Sequence, residues 1–152
     1  MHEVYNLLAA LKTDDCCFFH SNVSIIFMIK SMLIAGLGGF IGTIFRFFIS
    51  RYFQLNYDSV FPWNTLLVNI LGSFLIGIIY GISEKGSILS PEWRLFLAVG
   101  ICGGFTTFST FSNDAFILLQ GKEMLRFASY TGLSFFLGLV AVFVGRSLVK
   151  TM

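Results

Sequence analysis

The sequence predicts an all-α membrane protein with four transmembrane helices, and its composition and the number of its apolar stretches are the two observations behind this prediction. Of 152 residues, 56% are hydrophobic and 12% are charged, which leaves too few polar groups to cover a water-facing surface. A helix needs about 20 mostly apolar residues to cross a bilayer. Four stretches of that kind are present, roughly residues 33–53, 63–82, 94–119 and 125–148. We therefore expect a multi-pass protein of the cell inner (plasma) membrane.

The first 27 residues differ in kind from the four apolar stretches. They contain both histidines and the acidic pair Asp14 and Asp15, without the basic segment and small-residue cleavage site of a secretory signal. Met28 and Met32 stand just before the first apolar stretch. We interpret residues 1–27 as a disordered tail or the product of an upstream start, and residues 28–152 as the four-helix membrane domain.

Short links with ordinary boundary signals join the predicted helices. Pro62 stands at the expected start of the second helix, while Ser90 and Pro91 have the N-cap and first-turn pattern for the third. Small residues recur at helical spacing within the spans, where they allow backbones to approach closely. These pairs are Ala35 and Gly39, Gly38 and Gly42, Gly77 and Gly81, and Gly100 and Gly104.

Basic residues are divided almost evenly between the two sides of the membrane. With the tail set aside, five fall on one side and four on the other: Lys30, Lys85, Arg94, Arg146 and Lys150 against Arg46, Arg51, Lys122 and Arg126. An excess of Lys and Arg in short loops decides which side stays in the cytoplasm, so both orientations would form in similar numbers. Two oppositely inserted copies could then pair as a dual-topology antiparallel homodimer. The alternative is a fixed orientation set by another feature.

The third span contains the unusually polar segment ICGGFTTFSTFSND at 101–114. Glycine weakens a helix and hydroxyls can bond the backbone groups that a break sets free, so we expect this helix to be broken near its middle. Such a break is tolerated only inside protein or beside a water-filled cavity. Its exposed carbonyls would attract a small cation such as Na⁺.

Two phenylalanines follow the expected break and share one helical face. Phe108 and Phe111 are three residues apart, and the positive edges of their rings could solvate an anion in a narrow, nearly dry passage. The alternative is that both are ordinary core residues among the 19 phenylalanines of the chain.

Three motifs together resemble the fluoride channel family known as Fluc or CrcB. They are GGFTTFSTFS at 103–112, NTLLVNILGSFLIG at 64–77 and GLGGFIGTIFRF at 36–47, and the similarity covers about residues 28–152. The resemblance implies an antiparallel homodimer with a broken third helix, two fluoride pores and a central structural Na⁺. It also implies that backbone carbonyls of Gly103 and Thr106 bind the Na⁺.

The same resemblance assigns pore residues by their position in the motifs. These are Asn69 as the pore amide, Phe108 and Phe111 as pore-lining rings, and Tyr130, Ser134 and Thr110 as a polar track. Gly138 stands where relatives often carry a further hydroxyl, so a water or another side chain would have to supply that donor. Asp114 stands where relatives often carry Glu.

Each assigned residue has a structural alternative. An intramembrane amide such as Asn69 is costly enough to indicate function, but it could serve an interhelical hydrogen bond alone. Tyr130 and Ser134 could merely bond a neighbouring carbonyl. Arg46 could extend to the membrane interface or present positive charge at a pore vestibule.

We therefore expect a passive, fluoride-selective channel that lowers intracellular fluoride by export, with fluoride, lipid and a second inverted copy as its partners. A small multidrug-resistance-type, proton-coupled transporter is the alternative, although it needs a carboxylate in the first span, where this chain has Arg46. We expect no enzyme, because the spans contain no histidine or nucleophile–base constellation. A purely structural subunit would not explain the polar third span.

Overall fold

The computed structural model consists of helices joined by short turns. It describes residues 2–86 and 89–151, with the backbone alone for 2–24, and no strand occurs in that part of the chain. Helix α1 spans His2–Asn56, α2 spans Trp63–Glu84 and α6 spans Met124–Thr151. Between them lie α3 (Pro91–Arg94), a π-helix (Leu95–Cys102), α4 (Gly103–Phe105) and α5 (Phe108–Gln120).

Four helical segments are long and apolar enough to cross a membrane, which confirms the predicted all-α, four-span class. They are Ile25–Asn56, Trp63–Glu84, Pro91–Gln120 and Met124–Thr151. Residues Met1–Leu33 form one compact unit and Ile34–Met152 another, and every contact of the candidate site reported below lies within the second. The interpretation of residues 1–27 as a tail or an upstream-start product falls mostly on side chains outside the described set, and it stays a prediction.

The helix boundaries follow the capping signals of the sequence. Ser90 is the N-cap of α3, where its Oγ accepts a hydrogen bond from the Trp93 N–H at 3.3 Å, and Pro91 occupies the first turn. Pro62 is the N-cap of α2. Between α5 and α6, Lys122 adopts a φ of 58°, the left-handed conformation with which helices commonly end. Both predicted start signals are thus confirmed.

Glycines bring helix backbones into direct contact at two places. A Cβ added at Gly38 would lie 2.8 Å from the Cα of Gly100, so α1 and the π-helix touch backbone to backbone. A Cβ added at Gly77 would lie 3.0 Å from the Cα of Val142, and α2 and α6 form the most extensive helix pair of the described chain. Small residues therefore serve close packing, as their spacing predicts.

The third span changes conformation near its middle. Thr106 has a φ of −76° and a ψ of 156°, Thr107 has a φ of −148° and a ψ of 112°, and α5 begins at the next residue. Both dihedral pairs are extended, so the helical hydrogen-bond pattern stops between Phe105 and Phe108. We call Thr106 and Thr107 the extended pair.

Candidate functional site

Asn69 on α2 bridges to the extended pair through both ends of its amide. Its Nδ2 donates to the Thr107 carbonyl oxygen at 3.1 Å, and its Oδ1 accepts from the Thr107 N–H at 2.8 Å. Neither Thr107 backbone group can find a helical partner, and an unpaired buried backbone group is costly. Asn69 therefore supplies the hydrogen-bond donor and acceptor that the Thr107 backbone lacks within its own segment. Because an amide nitrogen carries two N–H donors, one remains for another acceptor.

Threonine hydroxyls complete the two helix ends at the extended pair. The Thr107 Oγ1 accepts from the Thr110 N–H at 3.2 Å and donates to the Thr110 Oγ1 at 2.9 Å, which makes Thr107 the N-cap of α5. The Thr106 N–H and Oγ1 both donate to the Cys102 carbonyl oxygen, each at 2.9 Å. The turn is thus held by local bonds that use three hydroxyl-bearing positions of the motif.

Some carbonyl oxygens at the extended pair have donors and others have none. Those of Cys102 and Thr107 accept the bonds described above, and that of Gly104 accepts from the Thr43 Oγ1 at 3.4 Å. The carbonyl oxygens of Gly103 and Thr106 are not acceptors in any of the hydrogen bonds that the described residues form here. Gly103 is also exposed on the surface of the chain. The two carbonyls assigned to a cation thus accept none of the hydrogen bonds described at the extended pair.

A cavity of about 360 Å³, which we call the Ser134 pocket, lies between α2, α6 and the extended pair. It brings together four of the residues predicted for the pore: Asn69, Phe108, Phe111 and Ser134. None of its lining residues carries a charge, and the full set is Asn69, Gly72, Ser73, Ile76, Thr106, Thr107, Phe108, Phe111, Ser134 and Phe135. The Ser134 Oγ is buried without a hydrogen-bond partner. The pocket therefore offers neutral hydrogen-bond donors beside aromatic rings.

The two predicted pore phenylalanines are neighbours with very different exposure. Their ring centroids are 5.7 Å apart with planes inclined at 39°. Phe108 is 80% exposed, whereas Phe111 is half-buried and packs 5.2 Å from the Tyr130 ring. Phe108 is therefore not buried in the core of this chain.

Tyr130 lies apart from the Ser134 pocket. It is fully buried in a cluster with Leu66, Ala115 and Leu118 and is not among the pocket's lining residues. Its hydroxyl donates to the Asp114 Oδ2 at 3.3 Å, the same oxygen that accepts from the Thr65 Oγ1 at 2.7 Å. The structure thus places Ser134 and Tyr130, four residues apart, in different surroundings.

A second cavity of about 260 Å³, which we call the Arg46 pocket, contains the remaining candidates. Arg46 is half-buried there and shares the lining with Thr110 and several other hydroxyls. The full lining is Thr43, Arg46, Phe47, Ser50, Thr65, Val68, Thr107 and Thr110. Thr107 lines both cavities, so the bridge between Asn69 and Thr107 stands between the Ser134 pocket and the Arg46 pocket.

Two residues of the site, Thr65 and Ser73, are missed by the motif assignment. Thr65 binds the Asp114 carboxylate, and Ser73 lines the Ser134 pocket. Thr65, Asn69 and Ser73 follow one another at four-residue spacing, which places them on one face of α2. A polar stripe of this kind in an otherwise apolar span was the signal that could have revealed both residues.

Comparison with known proteins places these features in a family. The family model described as CrcB-like protein, Camphor Resistance (CrcB) matches residues 33–146. The chain is 43% identical over 121 residues to a fluoride-specific ion channel FluC of Leptospira interrogans, an alignment that covers 80% of this chain and 95% of that protein. It is also 43% identical over 120 residues to a fluoride-specific ion channel FluC of Shewanella oneidensis, with 79% and 96% covered.

Proposed function

The chain belongs to the CrcB-like family, and on that premise we propose that it is a passive, fluoride-selective channel. Its relatives are named as ion channels, so it is a multi-pass membrane protein and not an enzyme. Export of fluoride across the plasma membrane is the role that we assign to it. The chemistry of the Ser134 pocket is the main support for this proposal, and the lining of the Arg46 pocket adds to it.

The Ser134 pocket suits a small, strongly hydrated anion. A pore that removes water from fluoride must return hydrogen-bond donors while holding the ion weakly enough to release it. The pocket provides the second N–H of the Asn69 amide, the unpartnered Ser134 hydroxyl and the rings of Phe108 and Phe111, without any carboxylate. The positive end of the α5 dipole begins at Phe108, on the same cavity wall.

The Arg46 pocket supports a vestibule on the other side of the Asn69 bridge. Its lining combines one guanidinium with several hydroxyls, and a single sign of charge in a narrow cleft concentrates ions of opposite sign. An anion attracted there meets Thr110 and Thr107 before it reaches Asn69. This position favours the vestibule role of Arg46 over extension to the membrane interface.

Passive flow is sufficient for export. Under an inside-negative potential, an anion is driven outward by about 2.3 kcal/mol per 100 mV for each charge. No coupling ion is needed, and the neutral lining of the Ser134 pocket contains no side chain that would exchange a proton during transport.

We further propose that the working unit is an antiparallel homodimer with two pores. The nearly even division of Lys and Arg supports insertion in both orientations, and the exposed Phe108 and Gly103 offer the second copy a face that includes the candidate site. Fusing a topology reporter to the carboxyl terminus tests this. The reporter should be detected on both sides of the membrane, and detection on one side alone would contradict dual topology.

A structural Na⁺ at the centre of the dimer is the third part of the proposal. The Gly103 and Thr106 carbonyls lack donors and lie where the preceding helical segment ends, so its dipole favours a cation. Two copies would together contribute four oxygens. Replacing Na⁺ with K⁺ at constant ionic strength should lower the thermal stability of the purified dimer, and equal stability in both salts would argue against the site.

Anion efflux from liposomes tests the function itself. Liposomes that contain the purified protein are loaded with fluoride or chloride at matched gradients, and protein-free liposomes measure the leak. We expect rapid loss of fluoride with retention of chloride. No fluoride loss from a folded dimer would overturn the proposal, and proton-coupled movement of an organic cation would indicate the multidrug-type transporter instead.

A further inference from the structure

Several hydroxyl groups inside the helices donate to a carbonyl of their own helix. Ser31, Ser83, Ser112 and Thr131 each bond the carbonyl oxygen four residues earlier, at 2.8–3.0 Å. This local bond is the usual way for a hydroxyl to be satisfied within an apolar span. Ser73 and Ser134 make no such bond, and no other hydrogen bond of theirs occurs among the described residues.

The two hydroxyls that lack this bond share one cavity. Ser50, Ser129 and Ser147 also form none, but only Ser73 and Ser134 line the Ser134 pocket. Ser73 approaches it from α2 and Ser134 from α6. Because an unsatisfied hydroxyl in apolar surroundings is costly, an acceptor within the cavity would satisfy both hydroxyls from opposite sides.

Gly138 leaves open the part of α6 that faces Ser73. A Cβ added at Gly138 would lie 3.6 Å from the Ser73 Oγ, which is an ordinary contact distance. Gly138 is one turn beyond Ser134, about 6 Å farther along α6 at 1.5 Å per residue. The α6 wall therefore presents a hydroxyl at Ser134 and none at the next turn, and at that turn the hydroxyl comes from Ser73 on α2.

We propose that Ser73 is an ion-contacting residue whose hydroxyl donates to fluoride opposite Gly138, one turn beyond the Asn69 amide. The inference rests on the proposed function. It continues the line of donors from Asn69 along α2, because residues four apart share a helical face. The donors would then alternate across the cavity, from Asn69 and Ser73 on α2 to Ser134 on α6.

Fluoride suits this position because the Ser73 hydroxyl has no acceptor among the described residues. Asn69, Thr106, Thr107 and Ser134 carry the other side-chain oxygens of the cavity lining, and none of them accepts a hydrogen bond from Ser73 among the described residues. Water can fill the cavity, whose volume exceeds that of one water molecule severalfold. A fluoride ion that replaces this water accepts a charge-assisted hydrogen bond from the Ser73 O–H, which is shorter and stronger than a neutral one.

The test compares fluoride efflux for Ser73→Ala, Ser73→Ala with Gly138→Ser, and the matched control Ser83→Ala. Ser83 is on the same helix, but its hydroxyl is satisfied by the Ile79 carbonyl. Ala favours a helix more than Ser does, so both single variants should fold. Elution of each purified variant at the volume of the original dimer checks this. Loss of one hydrogen bond to a charged group predicts an efflux decrease of about tenfold or more for Ser73→Ala, with Ser83→Ala unchanged.

The double variant separates ion contact from packing. The space at Gly138 accepts a Cβ, so a serine there returns a hydroxyl to the same level of the cavity from the facing helix. Efflux should then recover to within about threefold of that of the original protein. A difference of about threefold corresponds to less free energy than one hydrogen bond to a charged group. Unchanged efflux in Ser73→Ala overturns the inference while leaving the channel proposal intact. Absence of fluoride efflux in the unsubstituted protein overturns the proposed function itself.

Discussion

Asn69→Asp should nearly abolish fluoride efflux, for two reasons that the structure makes explicit. The new carboxylate keeps an acceptor for the Thr107 N–H, but it replaces the Nδ2–H donor with an oxygen that faces the Thr107 carbonyl at the present 3.1 Å contact. It also places a negative charge at the boundary between the Ser134 pocket and the Arg46 pocket, where an anion must pass.

The magnitudes of both effects can be worked from these contacts. Leaving the Thr107 carbonyl without its donor costs about 1–3 kcal/mol. A carboxylate about 4 Å from fluoride repels it by about 4 kcal/mol at an effective dielectric constant of 20. Because about 1.4 kcal/mol corresponds to a factor of ten, the repulsion alone predicts a decrease in efflux of about a thousandfold.

Liposome efflux of fluoride, measured on protein that elutes as a folded dimer, checks this prediction. Asn113→Asp is the matched control, since it makes the same change at an exposed position of α5 and should alter efflux by less than about twofold, within the range of a surface change. Efflux of Asn69→Asp equal to that of the original protein would refute the reasoning, because a charge in the ion's path cannot be neutral in effect.

Three further predictions concern the rings, the packing and the carboxylate network. Phe108→Leu should lower fluoride efflux by about tenfold or more if the ring edge solvates the ion. Phe136→Leu, at another exposed ring on α6, should not, and equal efflux in both variants would favour a purely structural ring. Gly38→Val should prevent folding because its Cβ meets the backbone of the facing π-helix. Gly36→Val should yield a normal amount of dimer, since a Cβ added at Gly36 has no neighbouring atom within 4 Å. Comparable yields of the two variants would contradict the packing argument. Thr65→Val should lower the free energy of unfolding by about 1.5–3 kcal/mol through loss of a 2.7 Å bond to a carboxylate, and an unchanged thermal midpoint would contradict it.

The four spans and their caps were predictable from the sequence because their causes are local. Apolar length, a Ser-Pro pair before a helix and a proline at a helix start each act within one turn. The position of Gly38 against Gly100 was also within reach, since close packing is the common use of small residues in membrane helices. The caps and span lengths depend little on which helices become neighbours, whereas the spacing of small residues indicates close packing without naming the partner helix.

The arrangement of the site could be predicted only in part because it depends on pairings between distant residues. The separation of Tyr130 from the Ser134 pocket follows from its bond to Asp114, which lies 16 residues away in sequence, and helical spacing alone does not show it. The π-helical form of Leu95–Cys102 has no signal in its uniformly apolar sequence. Ser73 was visible as part of a polar stripe, but its exposure to the cavity depends on Gly138, on another helix.

Electrical recording across a planar bilayer tests the central claim most directly, that this chain forms a passive path selective for fluoride. A tenfold fluoride gradient is opposed by an equal chloride gradient, so that cations and pH are identical on both sides. A fluoride-selective channel predicts a current that reverses near the fluoride equilibrium potential, about 59 mV for a single charge. A reversal potential of zero would show that chloride passes as readily as fluoride. Absence of current from folded dimers would show that there is no passive path. Either result would contradict the account.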